Sequence, residues 1–386
     1  MFRKINLLAV FLIFSGVATF GQQSGVQIAP YGYLKFDATH DTSRTAFGDA
    51  AFWVMPETAS GGDERELNFS ARETRLGLNI IAPESRGIKT TGRFEVDFYE
   101  ELTVPNKYVP RLRLAYIDLA WDNGWSLRFG QDWDTFTSFH PDTLDANALA
   151  FQGHPYMRHP QARLTKDFKL GENTNLTLKL AVQHGRNSSN IDGPPLGNDT
   201  QPDENAAGVP NFHGSVMLKP RLLTDRQSLF TFSGVYGREK VTGAENPITY
   251  ESWLIHGAVQ LPLTQRLTVQ GMFWKGENLD NYYAGINQGI DALKGIEVAS
   301  HGAWGQLVYN LTKSTRTSIG YGFEDPDDDT LSGDARVYTD RIFANFFYNV
   351  TERVVFGFEY ASMRTDYAIS KDMQNHRINF GVQYRF

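Results

Sequence analysis

The 386-residue sequence predicts an all-β chain, a transmembrane antiparallel β-barrel of about sixteen strands. Three observations predict it. Apolar and polar residues alternate along one segment after another, the connections between segments alternate in length, and no helix-length apolar run follows residue 21. Alternation marks a strand because successive side chains point to opposite faces. Strands that enter a bilayer must close into a barrel, since any unpaired backbone group would face lipid.

The N-terminus, "MFRKINLLAVFLIFSGVATFGQQ", has Arg3 and Lys4, then an apolar run over 7–14, then small residues. This is the layout of a secretory signal peptide at 1–21, with Thr19 and Gly21 suiting the positions before the cut. The run is shorter than the ~20 residues of a spanning helix. Its removal leaves 35 Lys and Arg against 44 Asp and Glu, a mature charge of −9, which speaks against a nucleic-acid-binding surface. The chain has no Cys, so disulfides and thiolate metal sites are excluded. A hydrophobic content of 41% with 35 Gly, 17 Tyr and 27 Phe suits a large, polar-filled β structure occupying 22–386 as one domain.

The strands follow in order. In "GIKTTGRFEVDFY", Ile88, Phe94, Val96 and Phe98 oppose Lys89, Arg93, Glu95 and Asp97. "NLTLKLAVQ", "RIFANFFYNV" and "VVFGFEYAS" repeat the pattern, and the final "RINFGVQYRF" sets Ile378, Phe380, Val382, Tyr384 and Phe386 against Arg377, Asn379, Gln383 and Arg385. Short connections lie at 82–87, 122–124, 170–174, 219–227, 262–266, 312–316 and 349–353. Long ones lie around 41–65, 99–110, 134–160, 185–209, 238–248, 276–295, 324–336 and 367–374. Seven short and eight long connections imply sixteen strands, the plan of an outer-membrane barrel with short periplasmic turns and long extracellular loops. The greasy face of the last strand then touches lipid, with Tyr384 and Phe386 in the interfacial girdle. A terminal Phe386 on such a strand also suits recognition by the barrel assembly machinery of the bacterial outer membrane.

Two segments break the pattern. In "RLRLAYIDLAWD", Ile117 and Leu119 fall on the opposite parity from Leu112, Leu114 and Tyr116. Either a bulge shifts the phase or both faces are apolar because something packs inside. In "SARETRLGL", Arg72 shares parity with Leu76 and Leu78, which places it above the lipid zone. On the polar parity stand Lys35, Arg75, Lys89, Arg93, Arg113 and Arg128, with Asp37, Glu95 and Asp97 among them, and later Arg377 and Arg385. Such a row is either a track for anions, since guanidinium matches carboxylate and phosphate, or a set of pairs that keeps a wet lumen polar.

The loop at 134–160, "DTFTSFHPDTLDANALAFQGHPYMRHP", is rich in apolar residues that water alone would not favour, so we expect it to fold into the lumen as the constriction. His140, Asp142, Asp145, His154 and Arg158 are its candidate constriction residues, and Asp142 or Thr143 could cap a helical turn. His154 and His159 suggest no metal, because zinc needs three or four convergent ligands. The loop "FEDPDDDTLSGD" at 323–334 bunches six carboxylates without EF-hand spacing; a solvated acidic loop is the default expectation, and a divalent cation bridging to lipopolysaccharide is the alternative.

At "YGYLKFDATHD", "ARETRLGLNI", "GRFEVDFY", "LRLAYIDL" and "LRFGQDWDTF" the chain resembles the DcaP-like family of bacterial outer-membrane porins. The resemblance runs from about residue 30 to the C-terminus and is densest before residue 160. It implies a sixteen-stranded homotrimeric porin whose third loop narrows each pore, passing small hydrophilic anionic, dicarboxylate-like solutes. On that reading Arg75, Arg93, Arg113 and Arg128 are the pore-lining basic wall, no cofactor or metal is needed, and the surroundings are outer-membrane lipid and lipopolysaccharide. The chain departs from family members that carry a helical periplasmic segment, since few residues separate Gly21 from the first strand. The competing readings are a barrel hydrolase and a structural or adhesive barrel. Against the hydrolase, His184, His213, His256, His301 and His376 are scattered without an adjacent nucleophile.

Overall fold

The alternating segments each become one wall strand in the computed structural model, which describes residues 25–57, 59, 64–100, 107–184, 207–241 and 248–386. The expected signal peptide at 1–21 lies outside these residues. The strands are β1 (Gln27–Asp41), β2 (Glu66–Ser70 and Arg75–Ile81), β3 (Ile88–Asp97), β4 (Arg111–Trp121), β5 (Trp125–Trp133), β6 (Arg158–Lys169), β7 (Thr174–Gln183) and β8 (Asn211–Pro220). They continue as β9 (Leu229–Val241), β10 (Ile248–Pro262), β11 (Leu267–Glu277), β12 (Ala299–Asn310), β13 (Thr315–Pro326), β14 (Arg336–Asn349), β15 (Val354–Tyr367) and β16 (Met373–Arg385). Each pairs antiparallel with the next, and β16 closes on β1 from Tyr33↔Arg385 to Asp41↔Arg377. The two parts of β2 pair with successive stretches of β1, so seventeen strand segments make a sixteen-stranded barrel.

Closure explains the alternation. On β16, Ile378, Phe380, Tyr384 and Phe386 point outward and stay exposed, while Arg377 and Asn379 point inward and are buried. The outer band repeats this around the wall with Phe36, Leu180, Phe232, Ile255, Phe273, Ile342 and Phe358. These side chains meet lipid rather than a protein core.

Both pattern breaks have local causes. The β3–β4 register shifts between Glu95 and Val96, which face Leu114 and Leu112, so Arg113 is an extra residue in β4. Of the two readings left open by the sequence, the bulge is therefore the one adopted. It turns Arg113 and Leu114 both inward, and leaves Leu112 and Ile117 on the lipid face. The break at Arg72 has another local cause: residues 71–74 leave the sheet between the two halves of β2, and Arg72 is buried. Its guanidinium reaches Asp49 at 2.7 Å and donates to the Lys107 carbonyl at 2.7 Å, tying the first loop to the wall.

The lumen is narrowed by three loops, not one. The third long loop, L3 (134–157), enters the barrel, and the first (L1, 42–65) and sixth (L6, 278–298) pack against it. Phe151 of L3 sits 5.2 Å from Phe52 of L1 and 5.3 Å from Tyr283 of L6, ring centre to ring centre. Phe136 and Met157 join Trp274, Leu279 and Tyr282 in a second apolar cluster. Aromatic pairs of this kind add about 0.5–1.5 kcal/mol each beyond area burial. The expected helical turn in L3 is absent. Successive turns run through 146–153, with Ala148, Leu149 and Phe151 at positive φ, and the Asp142 carboxylate is occupied by the wall.

Ile255 lies at the centre of β10 on the lipid face. Ile255→Arg is expected to destabilise the barrel by roughly 2–4 kcal/mol, the cost of a cation at the bilayer midplane. The midpoint of urea unfolding in lipid vesicles measures it.

Candidate functional site

L3 is seated by charges that its own sequence supplies. Asp145, wholly buried, accepts from Arg341 of β14 at 3.0 Å and from Arg377 of β16 at 2.7 Å. Each arginine has a second acid behind it, Glu359 for Arg341 and Asp41 for Arg377, both at 2.8 Å. Burial alone would raise the Asp145 carboxyl, but Arg377 and Arg341 outweigh it and hold it down at about 2. Three residues earlier, Asp142 takes a two-pronged bond from Arg316 of β13, 2.8 Å on each oxygen, and one from Ser318 at 2.9 Å. Lys35 of β1 donates to the Leu144 carbonyl at 3.0 Å, and Leu144 N–H donates to Glu359 at 2.6 Å. At the loop tip Gly153 has φ +101, and a Cβ there would stand 2.1 Å from the Ala303 carbonyl oxygen, so only glycine permits the approach.

The seated loop encloses a cavity of ≈ 260 Å³ against β1–β6. Arg75, Arg111, Arg113 and Arg158 line it from the wall, with Tyr33, Tyr99, Trp133 and Tyr156 between them, and His140, Pro141, Thr143, Asp145, Ala146 and Ala148 face it from the loop. The acids around these cations are already engaged. Asp97 takes Arg111 at 3.0 and 2.8 Å and Arg113 at 2.7 Å, while Glu95 takes Arg113 at 2.7 Å and approaches Arg75 at 3.6 Å. Arg158 stands apart. It is 8% exposed, its guanidinium stacks on the Trp133 ring at 4.5 Å, and no carboxylate among the described residues lies within ion-pair distance. A desolvated cation without a counter-charge is costly by several kcal/mol, so this cavity favours an anion.

The expected site residues distribute unevenly. Arg75 and Arg113 line the cavity; Arg93 and Arg128 do not. Arg93 donates to the Tyr31 hydroxyl at 2.6 Å, and Arg128 pairs with Asp118 at 2.9 Å and Asp132 at 2.7 Å. Of the loop candidates, His140 and Asp145 line the cavity, while Asp142 is bound to β13. Arg158 is the first residue of β6 and belongs to the wall at the foot of the loop. His154 is buried within L3, its Nδ1 at 2.7 Å from the Ala148 carbonyl, and does not face the cavity. Arg111 was missed by sequence reading, although its spacing of two from Arg113, which gives both the same parity, was the available signal. Among the described residues no group of three His, Asp or Glu is placed to hold a metal ion.

Two predictions concern the seat. Asp145→Ala leaves Arg341 and Arg377 short of a buried partner, and is expected to destabilise the seated loop by about 3 kcal/mol. Limited proteolysis within 141–152 of the folded barrel should accelerate. The second concerns pH. Burial lowers His154 from the ordinary 6.5 to about 4, with the Ala148 and Phe139 carbonyls pulling it partly back. A released loop therefore takes a proton near 6.5 that the seated loop refuses until about 4. Seating is expected to weaken by roughly 3 kcal/mol as pH falls across that window. The Asp145 contribution has the same sign in a lower window, present above its ordinary 3.8 and lost only as pH falls towards 2. Proteolysis rates between pH 7 and 4 check this, and His154→Phe should flatten them.

No family model matches the chain, and no curated protein matches it. Among solved structures it is similar to the outer-membrane channel DcaP of Acinetobacter baumannii, at TM-score 0.72 and 20% identity, covering 95% of this chain and 99% of that one. It is also similar to an anion-selective porin from Comamonas acidovorans, at TM-score 0.60 and 9% identity over 94% and 100% of the two chains. OprB of Pseudomonas putida matches at TM-score 0.59 and 10% identity over 97% of each. These likenesses establish that the chain has the sixteen-stranded barrel fold of bacterial outer-membrane channels.

Proposed function

We propose that the chain is an outer-membrane porin that lets small hydrophilic anions, dicarboxylates among them, diffuse through a lumen narrowed by L3. The observation that carries this reading is Arg158, a buried guanidinium without a carboxylate, facing the cavity beside Arg111 and Arg113. The distribution of acids supports it. The L3 carboxylates Asp142 and Asp145 are bound to arginines of β13, β14 and β16, so their charge is neutralised locally although Asp145 also borders the cavity. A constriction with buried guanidiniums along one side attracts anions and repels cations whatever the net charge of the chain. The anion selectivity named for the Comamonas acidovorans porin fits the same chemistry on the same fold. A signal peptide at 1–21, assembly as a homotrimer in contact with lipopolysaccharide, and delivery through recognition of Phe386 belong to this reading.

The reversal potential of the purified barrel in a planar bilayer under a salt gradient tests it. Anion preference is expected, and Arg158→Gln should lower the anion-to-cation permeability ratio by roughly threefold to tenfold, less at high salt. Cation preference would keep the channel and sink the anion reading. A folded barrel with no conductance would bring the hydrolase and adhesive readings forward.

A further inference from the structure

A second group of cations lies outside the cavity. Below Arg158 on β6, toward the short turn at 170–173, Arg163 points inward and is 7% exposed, with its Nε unpartnered. It stands directly opposite Arg128 of β5. Lys179 of β7 faces Thr165, two residues further down β6, and Lys219 of β8 faces Asn175, next to the short-turn mouth. Both lysines share the lumen parity of their strands, with Thr177 and Ala181 beside the first and Ser215 and Met217 beside the second. Neither has an ion pair or side-chain hydrogen bond among the described residues. The charges acting on Lys179 are those of Arg163, Lys219 and Arg128, with Asp132 as the opposing acid.

The local acids do not balance this group. Asp132 is divided between Arg128 and Arg163, each at 2.7 Å, and Asp118 serves Arg128 at 2.9 Å. Asp167, inward on β6 opposite Thr177, accepts from the Thr177 hydroxyl, so three carboxylates serve four cations, with two arginines paired directly across adjacent strands. Like charges in that arrangement destabilise a sheet unless something neutralises them. An oxyanion does so. The two free donors are ammonium groups, which act as point charges and accept tetrahedral phosphate or planar carboxylate without preference for shape.

We propose that Arg163, Lys179 and Lys219, with Arg128, form a second anion site between the constriction and the short-turn mouth, taking small oxyanions one step beyond the Arg158 cavity. The proposal rests on the channel reading for its role in passage, but the site itself is testable by binding alone. Broadening of the phosphorus resonance of inorganic phosphate on the folded barrel in detergent, at low ionic strength, gives the binding curve. The double variant Lys179→Gln, Lys219→Gln is expected to lose roughly tenfold in affinity at this site, the loss of charged hydrogen bonds, while binding at the Arg158 cavity survives. Arg158→Gln should give the complementary loss. Acetate should show the same dependence on Lys179 with weaker binding.

Identical phosphate curves for the double variant and the native barrel would overturn the proposal, as would loss of all binding on Arg158→Gln alone. Circular dichroism confirms that each variant keeps its β-barrel. Conductance separates the two readings. Lysine-dependent binding by a barrel without current removes the channel and leaves the site, whereas anion-selective current with lysine-independent binding removes the site and leaves the channel.

Discussion

The seating of Asp145 between Arg341 and Arg377 is the interaction on which the interior depends. Both arginines are wholly buried, and each is held from behind by a wall acid, Glu359 or Asp41. A wall without the loop would leave two guanidiniums with one carboxylate each in a narrowing lumen. A loop without the wall would carry an acid, a run of apolar side chains and three non-glycine residues at positive φ into water. Neither half is well served alone. Buried ion pairs add little net stability because desolvation offsets their attraction, but removing one partner is expensive, and that asymmetry fixes position. The loop's place in the barrel is therefore specified by charge more than by packing.

That same latch sorts the electrostatics of the lumen. By drawing Asp142 and Asp145 onto β13, β14 and β16, it holds the loop's negative charge against one wall. β2 and β4 keep Arg75, Arg111 and Arg113, sharing Glu95 and Asp97, and β6 adds Arg158 without a carboxylate partner among the described residues. Aromatic faces complete the arrangement: Trp133 lies against both Arg113 and Arg158, at 5.5 and 4.5 Å, and Tyr33 under Arg75 at 5.2 Å. Stacking holds guanidiniums in place without cancelling their charge, as pairing with an acid would. A chain of negative net charge can in this way present a basic constriction.

L1 and L6 give the latch its rigidity. The cluster of Phe52, Trp53, Tyr99, Phe151, Tyr156 and Ile286 joins four separate loop regions into one apolar mass above the cavity. Glu324 of β13 adds polar fastening, accepting from the Gly153 N–H at 3.2 Å and the Ile286 N–H at 3.0 Å, so L3 and L6 share one wall carboxylate. The constriction is a layered packing of loops with the basic cavity along one side.

The sequence by itself determined the barrel. Alternation has a period of two residues and is imposed by lipid outside and polar groups inside, so it is written locally in every strand and needs no knowledge of partners. Turn lengths are equally local, and the strand count, the outward face of β16 and the inward entry of L3 were legible from them. The bulge at Arg113 was visible as a parity conflict, and its resolution was not, because the register of β3 decides it. What only the tertiary structure decided is which charges meet. Asp145 and Arg377 are 232 positions apart, and Asp145 and Arg341 are 196. Contacts at that separation are set by closure of the barrel and leave no periodic trace in the chain. Arg93 and Arg128 stand on the polar faces of their strands as Arg113 does and do not share its cavity, whereas Arg111 and Arg158 reach it from the first positions of β4 and β6. Parity tells a side chain which face of the sheet to take; height along the barrel and the neighbours across it come from the closed fold.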